Sequence, residues 1–199
     1  MLTELEKDAL TELINIAVSG AAVRLRAMVG SEVKLTVPAV SVIGSSDAAR
    51  TMHALGLTNL TAVSQSFSGL LQGETMLVFP DGNEGNLVRA VLGSEMSDAE
   101  VANLTNDALG EIGNVLLLGF LSTIGDHLDV TFGVSIPTVV ASEPNILFKP
   151  DDQKVALFIY VNFSISGHDV RGYFGLILGV ETFVTLREIL AAFIEKVGG

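Results

Sequence analysis

The feature that most constrains the fold is that the chain is written twice. Asp8–Asn15 reads DALTELIN and Asp107–Asn114 reads DALGEIGN, so D-A-L-x-E-x-x-N recurs 99 residues on. The same offset links Gly20 with Gly119, Pro38 with Pro137, Gly73 with Gly172, Leu77 with Leu176 and Leu87 with Leu186. An offset kept through whole halves marks a duplicated unit, with small compensating insertions expected in the loops. Each half carries the same order of patterns. A helix is expected at 3–29 and at 98–126, and a second at 83–92 and at 181–196. Between them lie three β-rich stretches: EVKLTVPAVSVI, LTAVSQSFSG and GETMLVF in the first half, and LDVTFGVSIPTVVAS, VALFIYVNFSIS and RGYFGLILGV in the second. SSDAARTMHALG reads as a short helix or irregular connection, and EPNILFKPDDQK as a link between strands. The expected fold is α/β, a two-layer, pseudo-twofold duplicated α-β-β-β-α unit with two long helices. It forms a single domain over 1–199 built from repeats of about 1–96 and 97–199.

Duplication by itself explains much, because two half-units together cover an apolar sheet face that one could not. It does not explain why a polar triad is kept inside the first helix of each half. A helix turns about 100° per residue. With Leu10 at zero, Leu13, Ile14, Ala17 and Ala21 fall within about 60° of it and form the buried stripe. Asp8, Glu12, Asn15 and Ser19 lie on the opposite side at about 140–200°. In the second helix Leu109, Ile112, Gly113, Leu116 and Phe120 make the inner face, and Asp107, Glu111 and Asn114 the outer row. A polar row opposite an apolar stripe is also what any surface helix shows. Asn is the residue that row does not need, since it forms helices less well than Lys, Glu or Gln. Its amide can hold a water with its carbonyl while donating to a phosphoryl oxygen. Leu118 projects onto the same outer row, with Val115 and Ile16 at its margin, and suggests an apolar rim for docking. Mid-helix Gly20 and Gly119 suggest a close approach to a neighbouring element, and Pro38 and Pro137 suggest edge strands or bends.

Composition narrows the function. The net charge is −12, with 11 Lys+Arg against 23 Asp+Glu, which disfavours nucleic acid and free charged phosphate esters. No G-x-x-x-x-G-K-[ST] or G-x-G-x-x-G loop is present, and there is no cysteine to serve as nucleophile, metal ligand or disulfide. No wholly apolar run reaches the roughly 18 residues a bilayer span needs. The first residues do not read as a secretory signal, so a cytoplasmic protein without membrane insertion is expected. His53, His127 and His168 have no counterparts across the repeat. Asp126, His127 and Asp129 have a spacing common at helix ends, and no metal site is expected. A Glu–Asn pair can neither attack a substrate nor hold a metal tightly, but it could complete another protein's active site.

DALTELINIAVSGAA and DALGEIGNVLLLGFL resemble the paired D/S-x-x-x-E-x-x-N helices of the CheC/CheX/FliY chemotaxis phosphatases, and the CheC type in particular. VPAV after the first helix, LQGETMLVF and the closing helix fit the same pattern, so the resemblance spans essentially the whole chain. It implies a phosphoaspartate protein phosphatase that accelerates hydrolysis of the aspartyl phosphate of the response regulator CheY. Carried over by motif position, Asn15 and Asn114 would orient the attacking water. Glu12 and Glu111 would pair with the regulator's lysine, and Asp8 and Asp107 fill the motif's first position. Ser19 and Leu118 complete the expected partner-binding surface. The resemblance implies no cofactor bound by this chain, with Mg²⁺ held in the regulator, and CheD as a further partner. It also leaves room for a non-catalytic adaptor that binds CheD or the phosphorylated regulator, and for a structural module of the flagellar switch. Family motifs commonly read E-I-G-N, as Glu111–Asn114 does, whereas the first copy has Ile14 at the glycine position. Residue 14 projects inward, so that difference is expected to alter packing more than chemistry.

Overall fold

The structure, a computed structural model, describes residues 2–80, 82–93, 97–149, 151, 153–165 and 168–198. In chain order the elements are α1 (Glu4–Val29), β1 (Val33–Gly44), α2 (Ser45–Ala54), β2 (Leu60–Gly69), β3 (Gly73–Pro80), α3 (Asn83–Leu92), α4 (Asp98–Leu128), β4 (Phe132–Val134), β5 (Thr138–Ser142), α5 (Pro144–Leu147), β6 (Lys154–Ile165), β7 (His168–Gly179) and α6 (Val180–Gly198). The expected helices and strands are all present. The long β stretch expected after α4 is split in two, and α4 itself runs on to Leu128.

The strands form one seven-stranded antiparallel sheet in the order β1-β6-β7-β3-β2, with β4 and β5 both on the outer side of β2. The two halves join at the centre through β3 and β7, from Gly73 opposite Leu178 to Val78 opposite Tyr173. Alternation along the strands sends one set of side chains to each face. Val63, Phe67, Leu77, Phe79, Leu157, Ile159, Phe163 and Phe174 enter the main core beneath α1, α3, α4 and α6. Phe120 of α4 stacks on Phe174 at 5.1 Å between centroids, which anchors α4 over the middle of the sheet. The two-layer architecture holds. The opposite face carries a smaller cluster (Ala62, Met76, Val78, Ala156, Phe158) roofed by Ala48, Ala49 and Met52 of α2 and by Phe148.

Strand register corrects the repeat alignment. Val33 pairs with Ile165, and its repeat counterpart Phe132 pairs with Gly69. Gly69 therefore corresponds to Ile165, and by the same logic Leu60 corresponds to Ala156. The offset in this strand is thus 96, shorter than in the helices because the connections before it differ in length. One strand further on, Leu60 pairs with Pro80 and Ala156 with Ile177, an offset of 97. Leu77 consequently matches Phe174, not Leu176, and Gly73 matches Val170, not Gly172. The prolines behave as expected: Pro38 lies in the register break of β1 between Thr36 and Ala39, and Pro137 separates β4 from β5.

Both long helices begin with a capping box, Thr3 with Glu6 and Ser97 with Glu100. Each start is also clasped by the last helix of a half. Arg187 of α6 forks onto Glu6, with Nε donating to Oε1 and Nη2 to Oε2 at 3.2 Å, while Arg89 of α3 holds Asp98. The Thr3 backbone N–H, and then Arg187, hold the Glu6 carboxyl below the usual glutamate range. A depressed carboxyl stabilises the fold above its unfolded pKa, and that contribution is lost as pH falls through the folded one. The urea midpoint is therefore expected to fall on acidification below the glutamate range, and Glu6→Gln should flatten that fall. Thr3→Ala is expected to cost about 1 kcal/mol in the same measurement.

By length and composition α4 could cross a membrane, but 56% of its most apolar window is buried within the protein. Its apolar residues are those that pack on the sheet and on α1.

Candidate functional site

The motif helices pack against each other in antiparallel fashion. A Cβ on Gly20 would overlap the Thr123 hydroxyl, and one on Gly119 would lie 3.0 Å from the Ala21 Cα and 2.8 Å from the Arg24 Cδ. The two glycines are thus repeat counterparts that permit the crossing. Each Asn lies five residues before its glycine, so the motifs flank the crossing on opposite sides.

In α1, Leu10, Leu13, Ile14, Ala17 and Ala21 are buried, and Asp8, Glu12, Asn15 and Ser19 are exposed, as the helical projection requires. The Ser19 hydroxyl turns back and donates to the Asn15 carbonyl at 2.8 Å. In α4, Leu109, Ile112, Gly113, Leu116 and Phe120 are buried, and Asp107 and Glu111 are exposed. Two residues depart from the projection. Leu118 is half-buried, not an open rim, because cover extends further around the second half of α4. Leu121 and Gly125 are buried there, and a Cβ on Gly125 would lie 2.6 Å from the Val130 carbonyl and 3.6 Å from the Phe132 ring. Asn114 is also half-buried, where Asn15 is exposed.

The position before each Asn is inward, as expected. Ile14 is fully buried in α1. At the matching Gly113 a Cβ would lie 2.5 Å from Val63 Cγ1, so α4 rides directly on β2.

Gln65 of β2 reaches Asn114 and was not among the residues the sequence points to. Its Nε2 donates to Asn114 Oδ1 at 2.9 Å and to the Ser135 carbonyl at 3.0 Å. The signal was there to read: in LTAVSQSFSG the inward row is Val63, Gln65, Phe67, an amide among apolar side chains. The strand register makes its counterpart Val161, which offers Asn15 no such bond. Among the described residues the Asn15 amide has no partner.

Glu12, Glu111, Asp8 and Asp107 form no ion pair among the described residues, so the rows are open to cations from outside. Beside the second row lies an apolar groove of about 330 Å³. Met28, Leu92, Leu104 and Ala108 line it, and Asp107 and Glu111 form its edge. α4 starts five residues earlier relative to its motif than α1 does, with nine residues between Ser97 and Asp107 against four between Thr3 and Asp8, and Leu104 is the repeat counterpart of Leu5. His127 meets the Thr123 carbonyl at 2.9 Å in the last turn of α4, and His53 is exposed at the end of α2. The His168 side chain lies outside the described residues. Among the described residues no three His, Asp or Glu gather as a metal site. The arrangement can orient polar groups and accept a cation, and it offers no nucleophile of its own.

No protein-family profile matches the chain, and no curated protein matches it in sequence. Solved structures do. FliY of Thermotoga maritima superposes with a TM-score of 0.76 at 21% identity, over 97% of this chain and 99% of that one. The FliM middle domain of H. pylori gives 0.61 at 13% identity, over 95% and 99%. CheX of Borrelia burgdorferi, solved as a CheX–CheY–BeF3–Mg²⁺ complex, gives 0.53 at 15% identity, over 83% and 97%.

Proposed function

For a chain that has the fold of FliY, CheX and the FliM middle domain, we propose the function of a phosphatase acting on the aspartyl phosphate of a CheY-like response regulator. The observation that carries the reading is the twice-written Glu–Asn row on the two central helices: Glu12, Asn15 and Glu111 are exposed, and Asn114 is half-buried with only its Oδ1 engaged, by Gln65. A CheX of this fold has been solved with CheY, BeF3 and Mg²⁺, and BeF3 bound to a carboxylate oxygen takes the tetrahedral shape of a phosphoryl group.

The chemistry asks little of the chain. Water attacks the phosphorus, the bond to the aspartyl oxygen breaks, and the products are a free carboxylate and inorganic phosphate. Phosphoryl transfer of this kind depends on alignment and charge stabilisation. The regulator supplies Mg²⁺ and the acidic pocket. Glu12 or Glu111 binds a regulator lysine across the interface, and Asn15 or Asn114 places the water in line. The decay of radiolabelled phospho-regulator in Mg²⁺, with and without the protein, tests the reading. Binding with no change in phosphate lifetime would replace it with the adaptor.

The groove beside Glu111 continues the second row, and the docked regulator would cover it. Leu104→Glu puts a charge on that contact, away from the amide. It is expected to raise KM about tenfold in the decay assay and leave kcat unchanged, since it removes binding shared by ground and transition states.

A further inference from the structure

We infer that Gln65 is a positioning residue for Asn114, and that it makes the second motif the pre-aligned one of the pair; the inference rests on the phosphatase reading. The backbone fixes the arrangement. Ser135 is pinned to β2, its N–H donating to the Ser66 carbonyl at 2.9 Å and its hydroxyl accepting from the Ser66 N–H at 3.0 Å. Its own carbonyl can only accept, so Gln65 must present Nε2 to it. That choice also sets the second N–H of Nε2 on Asn114, which must answer with Oδ1. The Asn114 NH2 is then the branch left for a ligand, with one lone pair of Oδ1 still open.

Gln65 is only 2% exposed, and its Oε1 is buried without a partner among the described residues. Such an oxygen is unfavourable in an apolar row. The other half fills the same position with Val161, itself fully buried, so packing alone does not call for the amide. What Gln65 adds is a fixed hydrogen bond to the one side chain of the motif that must be aligned. Asn15 has no equivalent donor among the described residues to fix its amide.

The test uses the Asn15→Ala protein, in which only the second motif remains, and compares it with Asn15→Ala/Gln65→Met. Met keeps the length and removes the donors. The expected result is a kcat for regulator dephosphorylation about tenfold lower at unchanged KM, as misplacement of an aligning group predicts. The melting temperature should stay level or rise, because the unpaired oxygen is gone; a merely structural Gln65 would lower it. An unchanged or higher kcat overturns the inference, and so does an Asn15→Ala protein with no activity. A second readout needs no regulator. The Asn114 side-chain NH2 pair in a nitrogen–proton correlation spectrum should stand apart from the Asn15 pair in the wild type and shift toward it in Gln65→Met, the two protons of each pair staying distinct because rotation about the amide C–N bond is slow. If the pair does not move, the positioning role is wrong whatever the activity. If it moves as expected but the wild-type protein leaves the phosphate lifetime of the regulator unchanged, the phosphatase reading fails and the alignment stands.

Discussion

Phospho-regulator mixed with the Asn15→Ala/Asn114→Ala protein is expected to lose its label at its own unaided rate. Each amide can both accept from a water and donate to a phosphoryl oxygen, whereas the Ser19 hydroxyl already donates to the Asn15 carbonyl and the neighbouring Glu12 and Glu111 carboxylates are taken up by the regulator's lysine. Losing alignment of this kind costs on the order of 10²-fold in rate. The single variants should not be equal. Asn114→Ala should remove most of the activity and Asn15→Ala the smaller part, because only Asn114 is held by Gln65. The fold should survive, since Asn15 is exposed and Asn114 half-buried. A double variant as active as wild type would sink the mechanism, and circular dichroism on the same samples separates loss of function from loss of structure.

Gly113→Ile gives the largest expected stability change. It installs in the second motif the side chain that the first carries at Ile14. The new Cβ would sit 2.5 Å from Val63 Cγ1 and 2.8 Å from its Cβ. Valine is stiff at χ1 and has no long side chain to swing away, so α4 must lift from β2. Overpacking of this kind costs about 1–3 kcal/mol, partly offset because Gly is the poorer helix former by roughly 0.5 kcal/mol. For a chain of this size each kcal/mol lowers Tm by about 2–4 °C. Val63→Ala in the same chain should restore part of the loss, with a coupling of about 1 kcal/mol in a double-mutant cycle. Lifting α4 would also draw Asn114 off Gln65, so second-site activity should fall with stability. A urea midpoint equal to wild type would mean that α4 does not sit on β2 as closely as described.

Helical periodicity was enough to orient both motif rows, because Leu10 and Leu109 anchor them and the period is set by backbone geometry. Ile14 could be placed inward for the same reason. What the letters could not reveal was depth. Leu118 and Asn114 project outward, yet the sheet margin curls round the later part of α4 and half-covers both. Cover of that kind comes from residues distant in sequence, and periodicity is blind to it. The repeat misled in one place: matching letters aligned Leu77 with Leu176, whereas strand pairing aligns Leu77 with Phe174. Side chains in a shared core can change identity while backbone hydrogen bonds hold their register. Gln65 was visible as a polar letter in an apolar row, but its partner was 49 residues away in another element.

The prolines at the two margins of the sheet carry a consequence for how this protein meets others. β1 and β4–β5 are its outermost strands, and each is broken by a proline at the repeat-equivalent place. A proline has no N–H to offer a newcomer, and a break in register keeps the remaining donors and acceptors from forming one straight template. Neither side therefore invites a foreign strand to extend the sheet, whether from another copy of the chain or from a stray unfolded segment. For an acidic protein with 49% hydrophobic residues, the broken edges are poor templates for edge-to-edge stacking, and the exposed motif rows lie on the helices instead.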